Sequence, residues 1–285
     1  MLAGLNMGPR FRGDDGGSGR SAAGQVSNTT ATTYSTPFAR FAREAAASLL
    51  DLLLPRACVS CRRLLDAGDE GPVCGRCWAR LQELHHPRCG RCGHPMPHEK
   101  CRWCELLPPF VRTARSVCWI PGRTGAPIVH ALKYGGWSAV AEGMAERMAR
   151  LSWPRDVIEE RAALVPVPLA RVRERERGYN QSALLARALA SRWELPVWNH
   201  VLERVRATRT QTRLTPDERR GNVSGAFRVP EIAAAELRGK HLVLVDDVVT
   251  TGATLAACAA ELFSAGARVI SIVTFGRAPA SGDRV

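Results

Sequence analysis

The chain has 285 residues, 45% of them hydrophobic, and a formal net charge of +13. That length and apolar content exclude wholesale disorder and allow one sizeable domain plus a smaller module. The charge favours an anionic partner, a phosphate ligand or a nucleic acid. The basic residues are lopsided, however: Lys100, Lys133 and Lys240 stand against 37 arginines. Arginine suits phosphate oxygens, but a GC-rich genome produces the same bias, so charge by itself does not establish DNA binding. No run reaches the ~18 apolar residues of a membrane span, and the first residues lack the apolar centre of a secretory signal. The expectation is a cytoplasmic protein without membrane insertion, in which the ten cysteines serve metal binding before disulfides.

In chain order, residues 1–36 are rich in Gly, Ser, Thr and Ala without periodicity, which predicts a disordered tail. Phe38, Phe41, Ala45, Leu49 and Leu52 then recur at helical spacing up to Pro55, predicting an amphipathic helix over 37–56. Residues 57–108 hold four CxxC pairs: Cys58/Cys61, Cys74/Cys77, Cys89/Cys92 and Cys101/Cys104. A CxxC turn delivers two thiolates to one tetrahedral ion, and a second pair completes a four-thiolate shell. Two consecutive zinc ribbons is the simplest pairing; an interleaved arrangement satisfies the same spacing. Eight thiolates leave no open ligand position, so the zinc is expected to be structural, with His85, His86, His94 and His98 as bystanders. Trp78 and Trp103 in this module suit either packing around metal or base stacking.

From 109 to about 280 the pattern alternates. Val/Ile/Leu-rich runs at 114–120, 163–169, 241–246 and 269–275 predict strands. Helical patterns are predicted over 138–151, 180–193 and 253–265. Such alternation argues for a mostly parallel sheet flanked by helices. Cys118 and Cys258 fall inside these elements and read as core residues. After the strand ending near Pro168, Arg171, Arg173, Arg175 and Arg177 are expected in a loop. Residues 207–213 are long and polar enough for a flap. Thr215-Pro216-Asp217-Glu218 is a capping box that starts a short helix behind it.

The most informative stretch is LVLVDDVVTTGATL (242–255). A buried strand carries Asp246 and Asp247 to its carboxyl end, where open α/β sheets bind ligands. The turn 250–254 leads into a helix whose N-terminus favours an anion, and Gly252 permits close backbone approach. Carboxylates suit vicinal hydroxyls, so one ligand satisfies both halves: a ribose 5-phosphate. GxxxxGK[ST] and GxGxxG motifs are absent, which argues against nucleotide P-loop and dinucleotide sites.

This stretch resembles the 5-phosphoribosyl-1-pyrophosphate (PRPP) motif of type I phosphoribosyltransferases. Together with LVPVPLARVRERERGYNQ (164–181), VRATRTQTRLTPDERRGNVSGAF (205–227), HALKY (130–134) and the cysteine module, it resembles the ComF (competence protein F) family over residues 44–278. The resemblance implies a type I phosphoribosyltransferase fold behind a double zinc ribbon. It also implies PRPP bound with Mg2+, and single-stranded DNA and competence-machinery proteins as partners in natural transformation; a metabolic phosphoribosyltransferase acting on an unidentified acceptor and a regulatory protein that senses PRPP are the alternative readings. By it, Asp246, Asp247 and Val248 lie along the ribose. Thr250, Thr251, Gly252, Ala253 and Thr254 take the 5-phosphate, and Lys133, Arg173 and Arg177 add PRPP contacts. Arg209 and Gln211, on a flap that closes over the ligand, and Arg219, in the helix behind it, are the catalytic candidates. Purine-salvage members carry an acid where this chain has Thr250, which argues against purine chemistry.

Overall fold

A computed structural model describes residues 56–96, 101, 103–104, 107–206, 225–279 and 283, all within the compact unit Leu50–Val285. The predicted tail, all of the 37–56 helix but Arg56, and the flap with its capping box fall outside these residues.

The described elements run α1 (Gly75–Ala79), β1 (Val111–Trp119), α2 (Gly125–Tyr134), α3 (Val140–Ala149), α4 (Arg155–Glu160), β2 (Arg161–Pro166), α5 (Arg171–Arg177), α6 (Gln181–Trp193), β3 (Glu203–Arg204), β4 (Phe227–Arg228), α7 (Glu231–Leu237), β5 (His241–Val249), α8 (Ala253–Ser264) and β6 (Val269–Arg277). Four strands form a parallel sheet in the order β1-β6-β5-β2. The two inner strands, β5 and β6, are buried along almost their whole length. This is why they read as continuous apolar runs rather than alternating ones.

The four predicted strands and three predicted helices are all present, with ends shifted by a few residues. The arginine run 171–177 is different: it is helical, not a loop, and it buries no residue. Its stability is local. Arg and Glu are good helix formers, Arg173 Nη1 lies 3.5 Å from Glu176 one turn on, and Gly178 closes the helix at φ 80°. A helix without an apolar stripe leaves no periodic signal.

Each face of the sheet has its own core. One contains Ile128, Leu132, Met144, Met148, Leu185 and Leu189 from α2, α3 and α6. The other contains Leu237, Leu255, Cys258 and Leu262 from α7 and α8. The cysteine module divides between them. Cys58, Cys74 and Cys77 join the first core, whereas Cys89, Cys92 and Trp103 join the second. It passes from one face to the other around the edge strand β1. There Trp119 N donates to Gln82 O at 2.8 Å, and Glu83 bridges Cys118 in antiparallel fashion. At the opposite edge Trp198 N donates to Leu164 O at 2.9 Å, alongside β2. Both sheet edges are thereby covered rather than left to pair with another chain.

Candidate functional site

The cysteines gather into two clusters, Cys58/Cys61/Cys74/Cys77 and Cys89/Cys92/Cys101/Cys104, with the sulfurs of each cluster within 4.8 Å of one another. The pairing is consecutive, not interleaved. Both clusters open with the same knuckle. Cys58 N donates to Arg63 O at 2.8 Å and Arg62 N to Cys58 O at 2.8 Å; Cys89 N donates to His94 O at 2.8 Å and Gly93 N to Cys89 O at 2.9 Å. The fourth residue after each leading cysteine takes a left-handed conformation, Arg62 at φ 63° and Gly93 at φ 67°.

The sulfurs fit a tetrahedral ion. Metal–sulfur bonds of ~2.3 Å require sulfur–sulfur edges of about 3.8 Å. Cys61 and Cys74 lie 3.8 Å apart, with Cys92 and Cys101 at 3.3 Å and Cys89 and Cys104 at 3.2 Å. Burial raises the Cys58 thiol, but donors including the backbone of Cys61 and Cys74 outweigh it and bring it down to about 7. Burial pushes Cys77 up to about 12. Full ionisation of such a shell needs a cation at its centre, and the donor set supports structural zinc. His94 is not in either cluster: its Nε2 meets Asp283 Oδ1 at 2.9 Å. Trp103 is 6% exposed and Trp78 stacks under Arg147 at 3.8 Å, so both are packing residues.

On the sheet, β5 delivers Asp246 and Asp247 to its carboxyl end, both buried. Adjacent buried acids require partners. Lys133, in the last turn of α2, places Nζ 2.6 Å from Asp247 Oδ2. Ser182 Oγ donates to Asp246 Oδ1 at 2.7 Å, and the Asp247 amide donates to the same oxygen at 2.9 Å. Burial, reinforced by the Asp247 charge, still pushes Asp246 up to about 7 against those hydrogen bonds. Burial alone would depress Lys133; the Asp247 charge and hydrogen bond outweigh it and raise the ammonium. Tyr179 holds α2 in place by donating to Leu132 O at 2.6 Å.

Beyond the acids the chain turns at Gly252, φ 78°, which caps α8. The first-turn N–H groups of a helix have no intrahelical acceptor, and they carry the positive end of its dipole. The first turn of α8 contains no acid to occupy them. A cleft of ≈ 350 Å³ joins these parts. Of the sequence-derived ligand residues, Lys133, Arg173, Arg177, Asp246, Asp247, Val248, Thr250, Gly252 and Thr254 line it. Thr251 and Ala253 belong to the turn without lining the cleft. Arg209, Gln211 and Arg219 lie outside the described residues.

Sequence reasoning missed Gln181, Ser182 and Arg204. Gln181 accepts from Arg177 Nη1 at 2.8 Å. Ser182 enters at the start of α6, where Asn180 caps the helix by accepting from its amide. Arg204 lines the cleft from β3 and lies over the Phe227 ring at 5.3 Å. Ser182 and Arg204 belong to no motif in the chain, so only proximity reveals them.

Two family models match. A double zinc ribbon domain covers residues 49–107 and a phosphoribosyl transferase domain covers 179–285. "DNA utilization protein YhgH" of Escherichia coli (strain K12) is 34% identical over 235 residues, covering 78% of this chain and 96% of that protein. "Competence protein F" of Haemophilus influenzae is 31% identical over 241 residues, with the same coverage. "Competence protein ComFC" of Bacillus subtilis is 28% identical over 224 residues, 76% and 88% of the two chains. Among solved structures, an adenine phosphoribosyltransferase from Thermoanaerobacter pseudethanolicus superposes at a TM-score of 0.31 with 16% identity, over 53% of this chain and 84% of that one. That superposition is too loose to add to the family models.

Proposed function

This chain belongs to the family of DNA utilization protein YhgH and competence protein F, and we propose that its cleft binds PRPP with Mg2+ in the service of DNA uptake. The observation that carries the reading is the meeting, in one cleft, of a buried acid pair, a helix-capping glycine turn and four cationic side chains, Lys133, Arg173, Arg177 and Arg204. The 5-phosphate suits the turn, where the N-terminal end of α8 and its dipole favour an anion. Asp246 and Asp247 accept the ribose hydroxyls. Arg173 and Arg177, one helical turn apart on α5, face the pyrophosphate. Mg2+, when bound with PRPP, supplies charge neutralisation to the pyrophosphate. The eight cysteines hold two structural zinc ions. Thr250, which lines the cleft, stands where purine-salvage relatives carry an acid, so binding stands ahead of transfer to an acceptor.

The test is calorimetric titration of PRPP with Mg2+ into the wild type and an Asp246→Asn/Asp247→Asn double variant. Hydrogen bonds to charged groups contribute about 1.5–3 kcal/mol each, so affinity should fall at least tenfold. Equal affinities would overturn the assignment.

A further inference from the structure

The second cysteine cluster and the turn at the head of α8 meet at two buried side chains. Arg277 ends β6, 2% exposed, in register with Val249 immediately before the turn. Its Nη2 donates to Cys92 O at 2.6 Å, and its guanidinium lies 4.9 Å from the Trp103 ring centre. Nε and Nη1 are buried without a hydrogen-bond partner among the described residues. Trp103 sits between Cys101 and Cys104 in the chain. Its Cζ3 is 3.8 Å from the point where a Cβ on Gly252 would stand. Cys92, Trp103, Gly252, Leu255 and Arg277 line one enclosed space of ≈ 10 Å³, about enough for one water at most. Among the described residues no such side-chain link joins the first cluster to the turn: Cys58, Cys74 and Cys77 pack into the core on the other face, and Cys61 is exposed.

A guanidinium with two unsatisfied buried groups is costly unless a counter-charge faces it. Four thiolates around Zn2+ carry a net charge of about −2, and Asp283 is the described carboxylate that also bears on Arg277. Left unbalanced, that negative charge would oppose a phosphate at the neighbouring turn. We propose that Arg277 and Trp103 are a positioning pair that couples zinc at Cys89/Cys92/Cys101/Cys104 to phosphate binding at the α8 turn. Arg277 neutralises the metal centre and Trp103 flanks Gly252 across the enclosed space, so zinc at this cluster and ligand at the turn stabilise each other. Zinc at the first cluster does not take part. The coupling rests on the reading of the turn as the 5-phosphate site.

Coupling between two sites is reciprocal, so the ligand must retain the metal as the metal retains the ligand. The experiment follows zinc release from the full chain to a chromogenic chelator, with and without saturating PRPP and Mg2+, beside calorimetry on the same samples. Cys61→Ser, in the first cluster, identifies that cluster's release phase. The ligand should slow the other phase by about fivefold or more and leave the first unchanged. Without ligand, Arg277→Gln should speed the second phase only, and with ligand it should lose the protection. Arg277→Lys, which keeps the charge, should restore part of both. PRPP binding with no change in either phase, or with equal slowing of both, would overturn the coupling. Full protection in Arg277→Gln would remove Arg277 from it. Absence of PRPP binding by the zinc-replete chain would instead overturn the turn's assignment, and the coupling with it. The ligand-free arm then decides whether Arg277 neutralises the metal centre.

Discussion

Asp246 is where residue chemistry and function pull hardest against each other. Its carboxyl is pushed up to about 7 by burial and by Asp247, whereas an unfolded aspartate titrates near 3.9. Between those values the folded chain holds a proton that the unfolded chain releases, so this group's contribution to stability falls as pH rises from about 4 to 7. Asp246→Asn removes that penalty while its amide oxygen still accepts from Ser182. At pH 8 the variant should melt about 2–4 °C higher, the shift that ~1 kcal/mol produces in a domain of this size. An unchanged or lower melting temperature at pH 8 would contradict the strained acid. The same group tunes ligand affinity, since a carboxylate accepts ribose hydroxyls more strongly than a neutral carboxyl does. PRPP affinity should therefore climb more steeply as pH rises through 7 in the wild type than in Asp246→Asn, the ligand's own phosphate titrating at about 6 in both, measured by calorimetry across that range.

Among the elements, the β5–turn–α8 unit depends on one backbone angle. Gly252 sits at φ 78°, a conformation that costs an L-residue roughly 1–2 kcal/mol. The nearest atom to an added Cβ, on Trp103, is 3.8 Å away, so space is available and the cost is conformational. Gly252→Ala should lower the melting temperature by a few degrees and weaken PRPP binding at least severalfold. Unaltered binding would show that the turn's geometry does not hold the phosphate. Helix α5 shows the opposite dependence. Its Arg/Glu pairs are exposed, so they add only tenths of a kcal/mol each. Its arginines matter through their place on the cleft rather than through the fold.

At the scale of the molecule, the cysteine module is not an appendage. Its clusters join the cores on the two faces of the sheet, and the segment between them covers the β1 edge. Removal of zinc by a strong chelator should lower the melting temperature of the whole chain in one cooperative transition, read by circular dichroism. Loss of the ribbon alone, with the sheet melting where it did before, would show two independent units. The chain-order signals were strong where they depended on local pattern. Four CxxC pairs, four apolar strands and the acid–turn–helix run at 242–255 each carry their chemistry within a few residues. Contributions that arrive across long separations from outside any recognisable motif were silent. Ser182 reaches Asp246 from 64 positions away, and Arg277 reaches Cys92 from 185. By itself, then, the sequence determined the parallel α/β class, the eight thiols and the acid–turn unit, because periodicity and short-range spacing encode them. Only the tertiary structure decided the consecutive pairing of the clusters, their division between the two faces, and the guanidinium between metal and turn. Those follow from which strands neighbour which, and strand order is set by the packing of both faces at once rather than by any single stretch of chain.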